Sequence, residues 1–156
     1  MGLRRIEYDY ETFVKDLYDL AESIPERFDA IIAVARGGMT MAQMLGEYWN
    51  IRKVFLINSI GYDDTKKLSG VEVFNIPELD GCEKILVVDD IADSGETLAS
   101  VMRKLESHYP EKCFKTATLF FKPEAGFEPD FKVKEAKGWI DFFWSEDLKR
   151  YNDKSE

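Results

Sequence analysis

Apolar residues are arranged along this chain in two alternating patterns, short unbroken runs and wider stripes at helical spacing. Phe13, Leu17, Leu20 and Ile24 form one stripe, which predicts an amphipathic helix over Tyr10 to Ile24 closed by Pro25. Ala30-Ile31-Ile32-Ala33-Val34-Ala35 is a continuous run that stops at Arg36-Gly37-Gly38, the pattern of a buried parallel strand entering a tight turn. Met41, Leu45 and Tyr48 predict a second helix, and Val54-Phe55-Leu56-Ile57 a second buried strand. Val71-Glu72-Val73-Phe74 alternates like a half-exposed strand. Ile85-Leu86-Val87-Val88 is a third buried run, ending in Asp89-Asp90. Leu98, Val101, Met102 and Leu105 then mark the inner face of a helix from about Glu96. Thr116 to Phe121 reads as a fourth buried strand, terminated by Lys122-Pro123.

Strands alternating with helices of this length predict an α/β fold, a parallel sheet covered on both faces, in one domain over 1–156. In such sheets ligands bind outside the carboxyl ends of the strands. Arg36-Gly37-Gly38, Asp89-Asp90, Asp93 and Lys122 all fall just past expected strand ends, so the chemistry is expected on one edge. Between Ser59 and Gly70 the composition turns to Gly, Tyr, Asp, Thr, Lys and Ser, a polar segment of the length used for lids and binding loops.

Composition narrows the functional classes. Hydrophobic residues are 45% and charged residues 33% of the 156, ordinary values for a globular protein. No stretch approaches the ~20 apolar residues that span a bilayer, so no stable membrane insertion is expected. The start lacks the apolar core of a signal peptide, and Ile6 stands where a myristoylation motif after Gly2 wants Ser or Thr. A cytoplasmic protein is expected. Cys82 and Cys113 have no metal-ligand spacing and His108 is the single histidine, which argues against zinc and against a Cys/His catalytic pair. Both cysteines are read as reduced structural residues, and His108 as an end-of-helix residue. The tail from Lys149 to Glu156 is charged and expected to fray. A net charge of −9 argues against a nucleic-acid partner.

The densest feature is Ile85-Leu86-Val87-Val88-Asp89-Asp90-Ile91-Ala92-Asp93-Ser94-Gly95-Glu96-Thr97-Leu98. A buried strand runs into paired carboxylates, then a small turn, then a helix. The turn offers backbone N–H groups and the positive end of a helix dipole, which together bind a phosphate. Ser94 and Thr97 add hydroxyl donors, and Gly95 allows an oxyanion close to the main chain. The acids can accept hydrogen bonds from vicinal ribose hydroxyls or help hold Mg²⁺. A helix N-cap and a solvated strand end explain parts of the segment but not the whole. A Walker A loop is excluded, because no Gly-Lys-Ser/Thr follows the strand.

This segment resembles the phosphoribosyl-pyrophosphate signature of the type I phosphoribosyltransferases: four apolar residues, two acidic, two mostly apolar, then Asp-(Ser/Thr)-Gly-x-Thr. Ala35-Arg36-Gly37-Gly38-Met39 resembles that family's pyrophosphate loop, in which a cis peptide often precedes the basic residue, here Ala35–Arg36. Lys122 and Gly138-Trp139-Ile140-Asp141-Phe142-Phe143-Trp144 resemble the base pocket of the bacterial xanthine-guanine members. Lys122 carries only donors, which suits the O6 carbonyl of a 6-oxopurine and opposes the amino group of adenine. Trp139 offers a flat face for stacking, and the Ile140 carbonyl an acceptor for a 2-amino group. Trp144 is read as structural.

The resemblance implies a parallel twisted sheet with a lid loop at about 59–70 and a base-binding hood, built from terminal segments, at about 122–148. It implies Mg²⁺ as cofactor, phosphoribosyl pyrophosphate and a 6-oxopurine as substrates, and a homodimer or homotetramer. Ala35, Arg36, Gly37 and the run from Asp89 through Ile91, Ala92, Asp93, Ser94, Gly95 and Glu96 to Thr97 would bind phosphoribosyl pyrophosphate, with Asp89 and Asp90 at the metal. Asp93 would serve as general base at N7, and Arg36 with Lys67 or Lys66 would grip the pyrophosphate. The Ser59–Lys67 stretch departs from purine members in lacking their adjacent Ser-Tyr pair. Rival readings are a type I transferase for orotate, uracil or adenine, a nucleotide-sensing regulator on the same fold, and an interaction domain.

Overall fold

The computed structural model describes residues 4–61 and 70–154. The first strand, β1 (Arg5–Tyr8), leads into α1 (Tyr10–Ser23), whose start is fixed by the Asp9 carboxylate accepting from the Thr12 N–H at 2.9 Å. The buried run at Ala30–Ala35 is β2, followed by α2 (Met39–Trp49), β3 (Val54–Gly61) and β4 (Val71–Phe74). Next come β5 (Lys84–Ala92), α3 (Glu96–His108) and β6 (Cys113–Phe121). The chain closes with β7 (Phe131–Glu135), β8 (Trp139–Phe142) and α4 (Phe143–Lys154).

Six strands form the main sheet in the order β4-β3-β2-β5-β6-β7, parallel throughout except where β4 runs antiparallel to β3. Alternation along β2 explains its continuous apolar sequence. Ile31 and Ala33 pack with Phe13, Leu17 and Leu20 of α1 and Met41 and Leu45 of α2, while Ala30, Ile32 and Val34 pack with Leu98, Val101 and Leu105 of α3. Both faces of the central strands are therefore covered, as an α/β sheet requires.

Two strands run further at their carboxyl ends than their apolar cores suggested. β3 continues to Gly61 because Asn58–Gly61 pair with Val71–Phe74 of β4. β5 does not end at Asp89-Asp90 but continues to Ala92, with Ile91 opposite Phe120 and Ala92 opposite Phe121 of β6. Backbone pairing is indifferent to side-chain polarity, so the ladder outlasts the hydrophobic run. The acids thus sit on the last residues of a strand and not in a loop.

The expected hood is divided between two sheets. β7 completes the edge of the main sheet, whereas β8 pairs in parallel with the N-terminal β1 as a separate two-stranded sheet. Three groups tie that sheet to the body: the Tyr8 hydroxyl donates to Asp16 Oδ2 at 2.6 Å, and Lys134 Nζ of β7 reaches the same oxygen at 2.9 Å. The charged tail, expected to fray, is helical as far as Lys154, and Arg150 pairs with Glu7 at 2.9 Å. No described helix is long and apolar enough to cross a membrane. Cys82 is buried, Cys113 is exposed and neither forms a disulfide; His108 lies in the last turn of α3.

Candidate active site

The carboxyl ends of β2, β5 and β6 open on one edge, where three cavities of about 280, 810 and 630 Å³ share Asp90 in their walls. The smallest is a cup formed where β5 turns into α3. Ala35, Gly37, Asp89, Asp90, Ile91, Ala92, Asp93, Ser94, Gly95 and Thr97 line it. Its floor depends on glycine. Gly95 has φ +84°, and a side chain there would press on Phe127 at 2.7 Å from its Cβ. A Cβ on Gly37 would fall 2.5 Å from the Asp90 carboxylate, so a larger residue would push into the acids. Glu96, expected in the substrate set, does not line the cup; its N–H donates to Ser94 Oγ at 3.2 Å.

The second cavity is lined by Ala35, Arg36 and Gly37 from the first turn, with Asn58 and Ser59 of β3 and Trp144, Ser145 and Lys149 of α4. The Ala35–Arg36 peptide is cis. Arg36 is exposed and makes no ion pair with a described residue. Lys66 and Lys67 lie outside the described residues.

The third cavity brings Asp93, Lys122, Trp139 and Ile140 together although they are far apart in sequence. Lys122 Nζ stands 2.6 Å from Asp93 Oδ1, and that hydrogen bond raises the lysine pKa, holding it charged. Trp139 is 53% exposed, so its ring is free to take a planar ligand and does not serve the core. Ile140 is buried yet lines the cleft, and its main chain is left out of the hydrogen bonding with β1. The Trp139 N–H donates to Arg4 O, so residues 139 and 141 address β1, and the peptide groups of Ile140 point to the opposite edge. Trp144 stacks on Phe142 at 4.7 Å and 10°, the structural role expected of it, while also bordering the second cavity.

Asp89 and Asp90 are adjacent, Asp89 buried and Asp90 half-buried at the cavity walls. Desolvation raises the pKa of both, and for Asp89 the neighbouring Asp90 charge adds to it. The Asp90 N–H donates to Asp89 Oδ1 at 2.8 Å, and no described cation pairs with either carboxylate. Thr118, opposite Asp89 in the ladder, is buried with its hydroxyl unpartnered among the described residues. Such a pair of acids is completed by a cation. No cluster of three or more His, Cys, Asp and Glu that could hold a metal occurs among the described residues. Two carboxylates fit Mg²⁺, which commonly takes one or two protein carboxylates and fills its octahedron with water and substrate phosphates.

Ser145 and Lys149 were not singled out by the sequence. Their one signal is the four-residue spacing that puts both on one face of a helix after Trp144. Asn58 and Ser59 were obscured because β3 was expected to stop at Ile57.

A cup of strand, turn and helix at the carboxyl edge of a parallel sheet, with paired acids and a facing hydrophobic plate, defines an α/β protein for a phosphorylated sugar or nucleotide. Comparison with known proteins narrows that class. Residues 7–150 match the phosphoribosyl transferase domain model. The xanthine-guanine phosphoribosyltransferase of Idiomarina loihiensis is 34% identical over 123 residues, 76% of this chain and 72% of that protein. That of Chromohalobacter salexigens is 30% identical over 134 residues, 83% of this chain and 77% of that protein. Among solved structures, the Helicobacter pylori xanthine-guanine-hypoxanthine phosphoribosyltransferase superposes with a TM-score of 0.90 at 41% identity, covering 96% of this chain and 99% of that one. The chain belongs to the phosphoribosyltransferase family.

Proposed function

We propose that this phosphoribosyltransferase joins a 6-oxopurine (guanine, xanthine or hypoxanthine) to the ribose of phosphoribosyl pyrophosphate, giving the nucleoside 5′-monophosphate and pyrophosphate in purine salvage. The observation that carries the choice of base is the Lys122–Asp93 pair at 2.6 Å beside the exposed face of Trp139. O6 and N7 are neighbours on one edge of the purine. A donor set beside an acceptor matches O6 and a protonated N7 together. Adenine would turn its amino hydrogens toward the lysine, leaving donor against donor. The matched relatives, named for xanthine, guanine and hypoxanthine, favour the same base class.

In this reading the cup amides, Ser94 and Thr97 hold the 5′-phosphate, and Asp89 and Asp90 face the ribose hydroxyls. N9 of the base bonds to C1′ as the bond from C1′ to the pyrophosphate oxygen breaks, the electron pair leaving with pyrophosphate. Asp93 takes the N7 proton, so the base gains electron density as the ribose loses its leaving group. Arg36, with Lys67 or Lys66, steadies the leaving group. Mg²⁺, beside Asp89 and Asp90, supplies Lewis-acid neutralisation of pyrophosphate charge when bound. Val54, Leu56 and Ile60 of β3 and Phe74 of β4 leave an apolar row exposed, which supports a homodimer or homotetramer; a monomeric mass by light scattering would remove that part.

The test is nucleotide formation from phosphoribosyl pyrophosphate by the purified protein with guanine, xanthine, hypoxanthine, adenine, orotate and uracil. Turnover of the oxopurines, stopped by EDTA and restored by Mg²⁺, is expected. Preference for adenine or a pyrimidine, or no product with any base, overturns the assignment.

A further inference from the structure

The charges of protein and substrate are mismatched. The chain carries −9, Asp89, Asp90 and Asp93 line the site, and Lys122 is already paired with Asp93. On the strand-end side Arg36 is the cation at the second cavity. A second one comes from the hood. Lys149 of α4 lines both the cavity containing Arg36 and the cleft containing Lys122 and Trp139. It makes no ion pair with a described residue.

The helix that presents it is anchored. Phe143 and Trp144 pack on Phe13 with ring centroids at 5.4 and 5.2 Å, and Arg150 binds Glu7 at 2.9 Å. A surface lysine in an ordinary setting has water on all sides and little energetic consequence. Lys149 instead borders two concave walls, one turn beyond Ser145, which borders the same two, and both walls include Asp90. Lys149 thus joins the cavity that contains Arg36 to the cleft that contains Lys122 and Trp139.

We infer that Lys149 binds the pyrophosphate group of the substrate from the hood side and complements Arg36 on the strand-end loop. This rests on the transferase reading above. The contact gains strength as the C1′–O bond breaks and charge accumulates on the leaving oxygens.

Lys149→Ala and Lys149→Arg test it. Lys149 is exposed, so both proteins are expected to melt with the wild type. Loss of one charge-assisted contact should raise KM for phosphoribosyl pyrophosphate and Ki for pyrophosphate about tenfold in Lys149→Ala. KM for the base should stay within about twofold, and Lys149→Arg should recover most of the loss. Unchanged KM and Ki in Lys149→Ala overturn the inference. Calorimetric titration with magnesium pyrophosphate needs no turnover. A wild type that binds pyrophosphate but makes no nucleotide would sink the functional reading alone, and equal affinity in wild type and Lys149→Ala would sink the role of Lys149 alone.

Discussion

Lys122 and Asp93 form one ion pair, and if the pair reads the purine edge as proposed, substitutions at the two should fail in different ways. Asp93→Asn keeps the shape and an acceptor oxygen but gives up proton affinity, so kcat is expected to fall by roughly 10²–10⁴; steady-state turnover near that of the wild type would exclude the general-base role. Lys122→Ala removes the proposed donor to O6. It is expected to lower kcat/KM for hypoxanthine or guanine by about ten- to a hundredfold while KM for phosphoribosyl pyrophosphate stays put. Parallel losses for both substrates would place Lys122 at the phosphates. These residues were legible in the sequence because each interrupts or follows an apolar run, where a polar residue must lie at a strand end. Lys149 was not, because a lysine on a helix is unremarkable until the fold brings that helix beside Arg36. Glu96 entered the expected substrate set through its neighbours in the chain, and it is absent from the lining of the cup that Ser94, Gly95 and Thr97 border.

At the scale of elements, the site is only as steady as the registry of β2 with β5, which carry Ala35–Gly37 and Asp89–Asp93. One clamp sits at the far end of that pair. Asp29 Oδ2 accepts from the N–H groups of Glu83 and Lys84, each at 2.9 Å, while the Asp29 N–H donates to Lys84 O at 2.8 Å. The two backbone donors hold the Asp29 carboxyl below its usual range. A depressed folded pKa makes the contribution complete above the unfolded value of about 3.9, and it is lost as pH falls through the folded value. Urea midpoints of wild type and Asp29→Asn should therefore differ by a constant amount from about pH 7 to pH 5 and converge below about pH 4. A gap that persists at the lowest pH would mean that shape, and not charge, makes the clamp. Strand cores were readable from apolar runs because burial selects those residues. Strand ends were not, since β5 continues past the polar Asp89 and Asp90 by pairing with β6, and Ala92 returns to the core. The C-terminal aromatics of β8 and α4 were read as pocket residues without their elements, because Trp139–Trp144 combines one face of a short strand with the first turn of a helix.

At the scale of the molecule, β8, which carries Trp139 and Ile140, belongs to a two-stranded sheet outside the main one, so something must hold it in register with the cup between β5 and α3. Tyr8 is placed to do so. It is 2% exposed, pairs with Phe142 of β8 through the ladder, and meets Phe120 of β6 and Phe142 edge-on at 4.9 and 5.7 Å. Burial, with the hydrogen bond to Asp16, raises the pKa of the Tyr8 hydroxyl, so it stays a donor. Asp16 of α1 accepts from it at 2.6 Å and from Lys134 of β7 at 2.9 Å, so three separate elements end at one carboxylate. Asp16→Ala leaves the buried hydroxyl without an acceptor, a loss of about 1–3 kcal/mol, or roughly 2–12 °C in melting temperature for a chain of this size. The Lys134 ammonium is more than a third exposed and adds little once solvent screening is counted. Tyr8→Phe deletes donor and demand together, so it should cost less than Asp16→Ala. If the network positions the hood, both variants should raise KM for the base more than KM for phosphoribosyl pyrophosphate, because the cup on β5 and α3 does not depend on β1. An Asp16→Ala protein that melts with the wild type and keeps its KM for the base would show that the aromatic contacts of Tyr8 hold β8 without the carboxylate.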